Sequence, residues 1–193
     1  NEDESIGRFD LSATYGRDEH DELAFNTVNP SYGLNSPTKF NVATLVNDQT
    51  NITLDYAKDL DVNWSSHPLT VSAGIAYRHE QYRLEEGDYE SYSFGGINGV
   101  QVGAVQASGL TPDDAGTYKR DVGGVYFGLE HQLTDKFQVG LAGRTEHYSD
   151  FGSATTGKLS ARYDFTPQVG LRATVNNSFR APTLGQIGTS WTT

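Results

Sequence analysis

The chain has no cysteine and no methionine among its 193 residues. Without cysteine there can be no disulfide staple and no thiolate metal site. Cations are scarce: 14 lysines and arginines face 25 aspartates and glutamates, a formal charge of −11. Nucleic-acid binding needs a basic footprint, so this balance argues against that partner. No apolar run approaches the roughly 20 residues of a membrane helix, which excludes a helical span and nothing more. The start at Asn1 is polar and carries no signal peptide, so the chain reads as an internal piece of a longer secreted protein.

The mean hydropathy of −0.54 taken alone suggests a soluble protein. That inference fails for a membrane barrel, because half of every strand and most of every loop is polar. The pattern of residues favours the barrel. From Val122 to Arg180 apolar and polar side chains alternate, pause at a turn and alternate again. Phe137, Val139 and Leu141 stand against Gln138, Ala142, Arg144 and Glu146. Leu159, Ala161, Tyr163 and Phe165 stand against Lys158, Ser160, Arg162 and Asp164. Val169, Leu171, Ala173 and Val175 stand against Gly170, Arg172, Thr174 and Asn176. Period two with charge on one whole face means strands that touch two media. In a membrane barrel these are lipid and a wet lumen. The 21 glycines and 11 tyrosines suit turns, packed strands and interfacial girdles.

Seven strands follow from the same alternation. The first runs over Ile6 to Gly16, the second over about Asn51 to Leu60, and the third over about Leu69 to Leu84. The fourth holds Val125, Phe127 and Leu129, and the fifth, sixth and seventh are those above, the last ending near Arg180. Long connections at 17–48 and 85–120 and a compact one at 149–154 would share one end. Tight turns at 65–68, 134–136 and 166–168 would share the other. Short inner turns and longer outer loops mark outer-membrane barrels. The expected fold is all-β, an antiparallel up-and-down meander that forms part of a large transmembrane β-barrel. An open sheet of seven strands has two unpaired edges, so neighbouring strands should close it.

Three stretches carry a family resemblance: "AYRHEQY", "RTEHYSDFGSATTGKLSARYDFTP" and "LRATVNNSFRAPTLGQI". They resemble TonB-dependent outer-membrane receptors, well over Leu69 to Ile187 and loosely before that. The most specific part is an ordered set. Arg144-x-Glu146-x-Tyr148-Ser149-Asp150-Phe151-Gly152 comes first, then Lys158-Leu159-x-x-Arg162-Tyr163, then Ser178-Phe179-Arg180-Ala181-Pro182. The resemblance implies a barrel of about 22 strands with a plugged lumen. It implies energy-coupled import of a scarce ligand (siderophore, cobalamin, haem or oligosaccharide) across the outer membrane of a Gram-negative bacterium. The implied partners are outer-membrane lipid, a plug domain of the same full-length chain, TonB through the N-terminal region, and the transported small ligand. Residues 1–193 are then one internal segment of the barrel domain, with the plug and remaining strands outside it. A passive porin or adhesin barrel is the alternative.

Candidate site residues fall into three groups. Arg78, Glu80, Glu130, Arg144, Glu146, Lys158, Arg162, Asp164 and Arg172 belong to the polar face, where a charge lattice holding the wall rigid is favoured over a plug seat or solute path. Phe25, Tyr32, Phe40, Tyr89, Tyr92, Phe94 and Tyr118 are loop aromatics suited to flat or sugar-like ligands. Phe179, Arg180, Ala181 and Pro182 form a rim motif, because proline ends a ladder and restricts its predecessor. No cofactor is expected. The acidic run Asp18, Glu19, His20, Asp21 and Glu22 lacks calcium-loop spacing, so it reads as a solvated charge run. No GxSxG elbow or helical HExxH is present, and the histidines do not converge, so catalysis is not expected.

Overall fold

A computed structural model describes residues 6–188. Seven strands follow one another: β1 (Arg8–Phe25), β2 (Lys39–Leu60), β3 (Leu69–Glu85), β4 (Gly116–Thr134), β5 (Phe137–Tyr148), β6 (Gly152–Thr166) and β7 (Val169–Asn176). A 3-10 segment covers Pro30–Asn35, and two short helices, α1 (Tyr89–Tyr92) and α2 (Leu184–Gly188), complete the elements. The strands lie in one sheet in the order β1-β2-β3-β4-β5-β6-β7. The antiparallel meander is the expected one. No described helix is long and apolar enough to cross a membrane.

Several boundaries differ from the sequence reading. The first strand continues nine residues past Gly16, and the second begins at Lys39 rather than Asn51. The polar stretch 17–48 is therefore mostly strand, and the true connection is 26–38. The second long connection is 86–115, and the compact one shrinks to the turn 149–151. The seventh strand ends at Asn176, four residues before Arg180. A ladder satisfies backbone groups whatever the side chains are, so a strand can outrun its alternation where both faces are wet. The acidic run Asp18–Glu22 consequently lies on β1, with successive side chains on opposite faces.

Register sets the two faces of the later strands. Leu129 opposes Leu141, Leu141 opposes Leu159, and Leu159 opposes Val175, forming one apolar row across four strands. Leu159 is 58% exposed and Val175 74% exposed. Glu130, Gly140, Ser160 and Thr174 form the next row, on the opposite face. Two-residue turns at 135–136 and 167–168 join the strands at one end, each beside a register shift. Gly152, with φ of +102°, opens β6 in a conformation that L side chains rarely adopt.

The described residues divide into two compact units. One holds 6–14, 50–79 and 120–181; the other holds 15–49, 80–119 and 182–188. The first is mostly sheet, and many of its large apolar side chains are exposed, although Val122 and Tyr148 are buried. The second has buried apolar clusters. Ala24, Phe40, Val42 and Ala104 pack together there. Tyr82 and Leu84 pack against Leu184 of α2, flanked by Leu45, Leu110 and Tyr118.

An exposed apolar face is stable only where it meets an apolar medium. Leu141→Arg is expected to cost about 2 kcal/mol in a bilayer, the low end for a lipid-facing strand position, because a long side chain can snorkel. Ala142→Arg, on the polar face, should cost well under half of that. Unfolding of both variants in lipid vesicles measures the difference. Equal costs would contradict the assignment of faces.

Candidate functional site

The polar face of the first unit carries a network across β2 to β5. Tyr126 stands directly opposite Arg144. Its hydroxyl donates to the Asp55 carboxylate on β2, two strands away. The ring reaches that far by lying over Gly74 of β3, where a Cβ would collide with it. The Arg144 guanidinium sits 5.2 Å from the Tyr126 ring centroid. The Arg144 Nη2 also donates to Glu146 at 2.7 Å, and the Tyr148 hydroxyl donates to the same carboxylate at 2.8 Å. Residues two apart on a strand share a face, which permits the Arg144–Glu146 contact.

The nine predicted polar-face residues divide into two sets. Arg78 and Glu80 on β3 are both engaged. Arg144 with Glu146 and Arg162 with Asp164 (3.0 Å) pair within their own strands. The side chains of Glu130, Lys158 and Arg172 make no hydrogen bond or ion pair with another described residue. Part of the face is thus a closed lattice, and part is open.

Sequence reasoning overlooked a clasp at the β5–β6 turn. Arg120 of β4 is 2% exposed. Its Nε donates to both Asp150 carboxylate oxygens, at 3.0 and 2.9 Å, and its Nη2 donates to Oδ2 at 2.6 Å. The guanidinium lies 5.9 Å from the Tyr148 ring and 5.3 Å from the Phe151 ring. Those rings stack at 4.3 Å, and Phe179 packs 5.7 Å from Phe151. The Tyr148-to-Gly152 and Phe179 motifs therefore meet in space. Asp150 lay within a singled-out motif, but nothing around Arg120 in the sequence marks it as the partner. Arg180 and Pro182 are exposed and Ala181 is half-buried, all beyond the end of β7.

In the second unit the connections 26–38 and 86–115 are stitched together. Asn29 is fully buried. Its side-chain amide donates to the carbonyls of Glu90 and Ser93, each at 2.8 Å. Its carbonyl oxygen accepts from the Ser31 backbone and hydroxyl. Backbone bonds add to this, from Ile97 to Ser31 and from Val105 to Val28. Asp114 accepts from the Thr111 hydroxyl and backbone, which holds its carboxyl below the usual range. Burial, with Glu86, Tyr89 and Glu90 nearby, raises the Tyr92 phenol.

The predicted ligand aromatics separate accordingly. Phe25, Tyr89 and Phe94 are exposed, but Phe25 is the last residue of β1 rather than a loop residue, because the ladder runs on to it; Tyr89 meets Tyr92 edge-on at 5.7 Å. Tyr32 is half-buried and hydrogen-bonds the Ser93 hydroxyl at 2.6 Å. Phe40 is on β2 and fully buried, so it is a core residue rather than a contact. Tyr118 is on β4, beside Tyr82 and Leu184, and is not a loop residue either. Among the described residues no group of three or more His, Cys, Asp or Glu can hold a metal ion, the acidic run on β1 included.

A family model described as "TonB dependent receptor-like, beta-barrel" matches residues 2–192. The chain belongs to this family. The TonB-dependent receptor fold is also seen in the crystal structure of the siderophore receptor PirA from Acinetobacter baumannii. The likeness has a TM-score of 0.62 at 17% identity and covers 92% of this chain. It covers 24% of the PirA chain, so the TonB-dependent receptor segment spans about a quarter of that relative. At this identity the likeness is one of fold. Comparison with curated proteins returned no match. The TonB-dependent receptor family is one of Gram-negative outer-membrane receptors, and both it and the neighbour are receptors rather than enzymes.

Proposed function

We propose that the chain is a wall segment of an outer-membrane importer that takes up a scarce ligand with energy passed from the inner membrane through TonB. The family match over residues 2–192 carries this reading. Further strands would complete the wall beside β1 and β7, the edges of the described sheet. A plug domain of the same protein would fill the lumen. The polar face then meets water and plug, and the apolar row Leu129–Leu141–Leu159–Val175 meets lipid.

The ligand we propose is a ferric siderophore, the class named for the structural neighbour. The stitched loop unit supports a binding role. A loop unit ordered by buried hydrogen bonds presents Tyr89 and Phe94, with Phe25 at the end of β1, without the entropy cost of freezing mobile loops on binding. Specific capture would occur there, followed by plug rearrangement, with no covalent chemistry.

Uptake by cells carrying the full-length protein tests the proposal. Radiolabelled iron–siderophore complexes, haem, cobalamin and a maltodextrin would be compared with and without an uncoupler of the proton-motive force. Uptake of an iron–siderophore that the uncoupler abolishes is the expected result. Uncoupler-insensitive uptake of all four would indicate a passive pore and overturn energy coupling. Coupled uptake of another probe alone would overturn only the siderophore assignment.

A further inference from the structure

The chain as a whole is acidic, yet its last three strands are locally cationic. Their charged side chains, histidine aside, are Arg144, Glu146, Lys158, Arg162, Asp164 and Arg172. All six occupy even-numbered positions and so share the polar face. The two carboxylates are already taken, Glu146 by Arg144 and Tyr148, Asp164 by Arg162. Lys158 and Arg172 have no such partner among the described residues.

The register sharpens this imbalance. Arg162 stands directly opposite Arg172. Like charges directly opposed on one face destabilise a sheet. Arg162 engages Asp164 through Nε, so the remaining N–H groups of its guanidinium and all those of Arg172 stay free to donate. Beside them is a concavity of about 190 Å³ that also exposes Gln138 and Ser160. Gly140 forms its floor; a Cβ there would press on the Ser160 hydroxyl. Glu130 is at the far wall. It sits on β4, with β5 and β6 between it and β7, and makes no ion pair with Arg162 or Arg172.

We propose that this concavity is a binding site for oxyanions, a carboxylate or phosphate group held between Arg162 and Arg172. Planar guanidinium groups grip such groups through paired charge-assisted hydrogen bonds. Gln138 supplies a neutral donor, as does Ser160 once its hydroxyl leaves the long 3.5 Å contact to the Gly140 carbonyl, and Glu130 opposes the anion from the far wall and biases it towards the arginines. A bound oxyanion removes the repulsion between the two arginines, so occupancy also stabilises the β6–β7 pair. The site lies towards the two-residue turns at 135–136 and 167–168. It requires a wet polar face, as the receptor reading does, but no particular imported ligand.

Calorimetric titration of the full-length protein in detergent at low salt tests the site, with inorganic phosphate and malonate as probes. Saturable binding of at least one probe is expected, weakened about tenfold or more in Arg172→Gln and Arg162→Gln. Lys136→Gln, in the adjacent turn, should bind as the unsubstituted protein does. Arg172→Lys should retain part of the affinity, since the charge persists without the planar fork. Added salt should weaken binding. Phosphate binding alone would assign the site to phosphorylated solutes, and malonate binding alone to carboxylates; either sustains the proposal. No saturable binding of either probe, or equal affinity in the two Gln variants, would overturn it. Arg162→Gln and Arg172→Lys keep the test decisive where Arg172→Gln fails to fold. Uptake measurements are a separate readout, so failure here leaves the importer reading standing.

Discussion

Asp150→Ala is expected to destabilise the β5–β6 turn and its neighbours by about 3–5 kcal/mol, the usual cost of removing one member of a buried ion pair. Arg120 is almost wholly buried, while the Asp150 side chain is 27% exposed. The loss therefore falls on the arginine, which keeps its desolvation cost and loses its carboxylate. The rings of Tyr148 and Phe151 attract the cation, but that attraction does not replace the carboxylate that its Nε and Nη2 now engage. Arg120→Met should cost less, because Asp150 can hydrate. The double substitution Arg120→Met with Asp150→Leu should recover most of the loss, as apolar replacements of buried pairs often do. Guanidinium unfolding of the full-length protein in vesicles provides the measurement. A change below about 0.5 kcal/mol for Asp150→Ala would place the clasp among ordinary surface pairs.

Asn29→Ala should open the stitched loops, with a local cost of about 4 kcal/mol, taking about 1 kcal/mol for each of four side-chain hydrogen bonds. The bonds run to both connections: to Ser31 in one, and to the carbonyls of Glu90 and Ser93 in the other. Alanine would leave those buried carbonyls without the amide that now satisfies them. Asn29→Asp should do no better, since it keeps the acceptor and removes the donors. Amide hydrogen exchange gives the distinguishing readout. Protection should fall together in residues 29–36 and 88–97. A fall confined to 29–36 would mean that the second loop holds itself in place. The proposed ligand surface depends on this stitch, so ligand capture should weaken in the same variant.

The two cases differ in what could be read beforehand. The motif from Tyr148 to Gly152 stood out in the sequence, and Phe179 stood out with it. Neither revealed that Arg120, 30 residues away from Asp150, binds the turn between them. Asn29 was legible as a turn former before Pro30, but its buried role depends on carbonyls more than 60 residues further on. Loop hydrogen bonds of this kind have no period, so no pattern announces them.

Strand boundaries failed for a related reason. On β1 the residues Arg17 to Glu22 are polar on both faces, so the alternation that marks a strand vanishes while its backbone ladder continues. On β2 the period through Phe40, Val42, Thr44 and Val46 is present in the sequence, but Asn29-Pro30 and Ser36-Pro37 just before it suggest a loop. That reading also cast Phe40 as a ligand contact, whereas its ring is buried with Ala24, Val42 and Ala104.

Alternation by itself determined the all-β class, the number of strands, their antiparallel order and the separation of an apolar from a polar face. These are local properties, repeated every two residues, and a side chain facing lipid or water needs no distant partner to declare itself. The ordered motifs added the family. Only the tertiary structure decided which charges cancel, which loops are ordered and which aromatics are buried. Glu146 and Arg172 look alike as charged residues on alternating strands; among the described residues the side chain of one is held by two neighbours and that of the other by none. That difference arises from register and from reach across strands, which exist only once the sheet has formed.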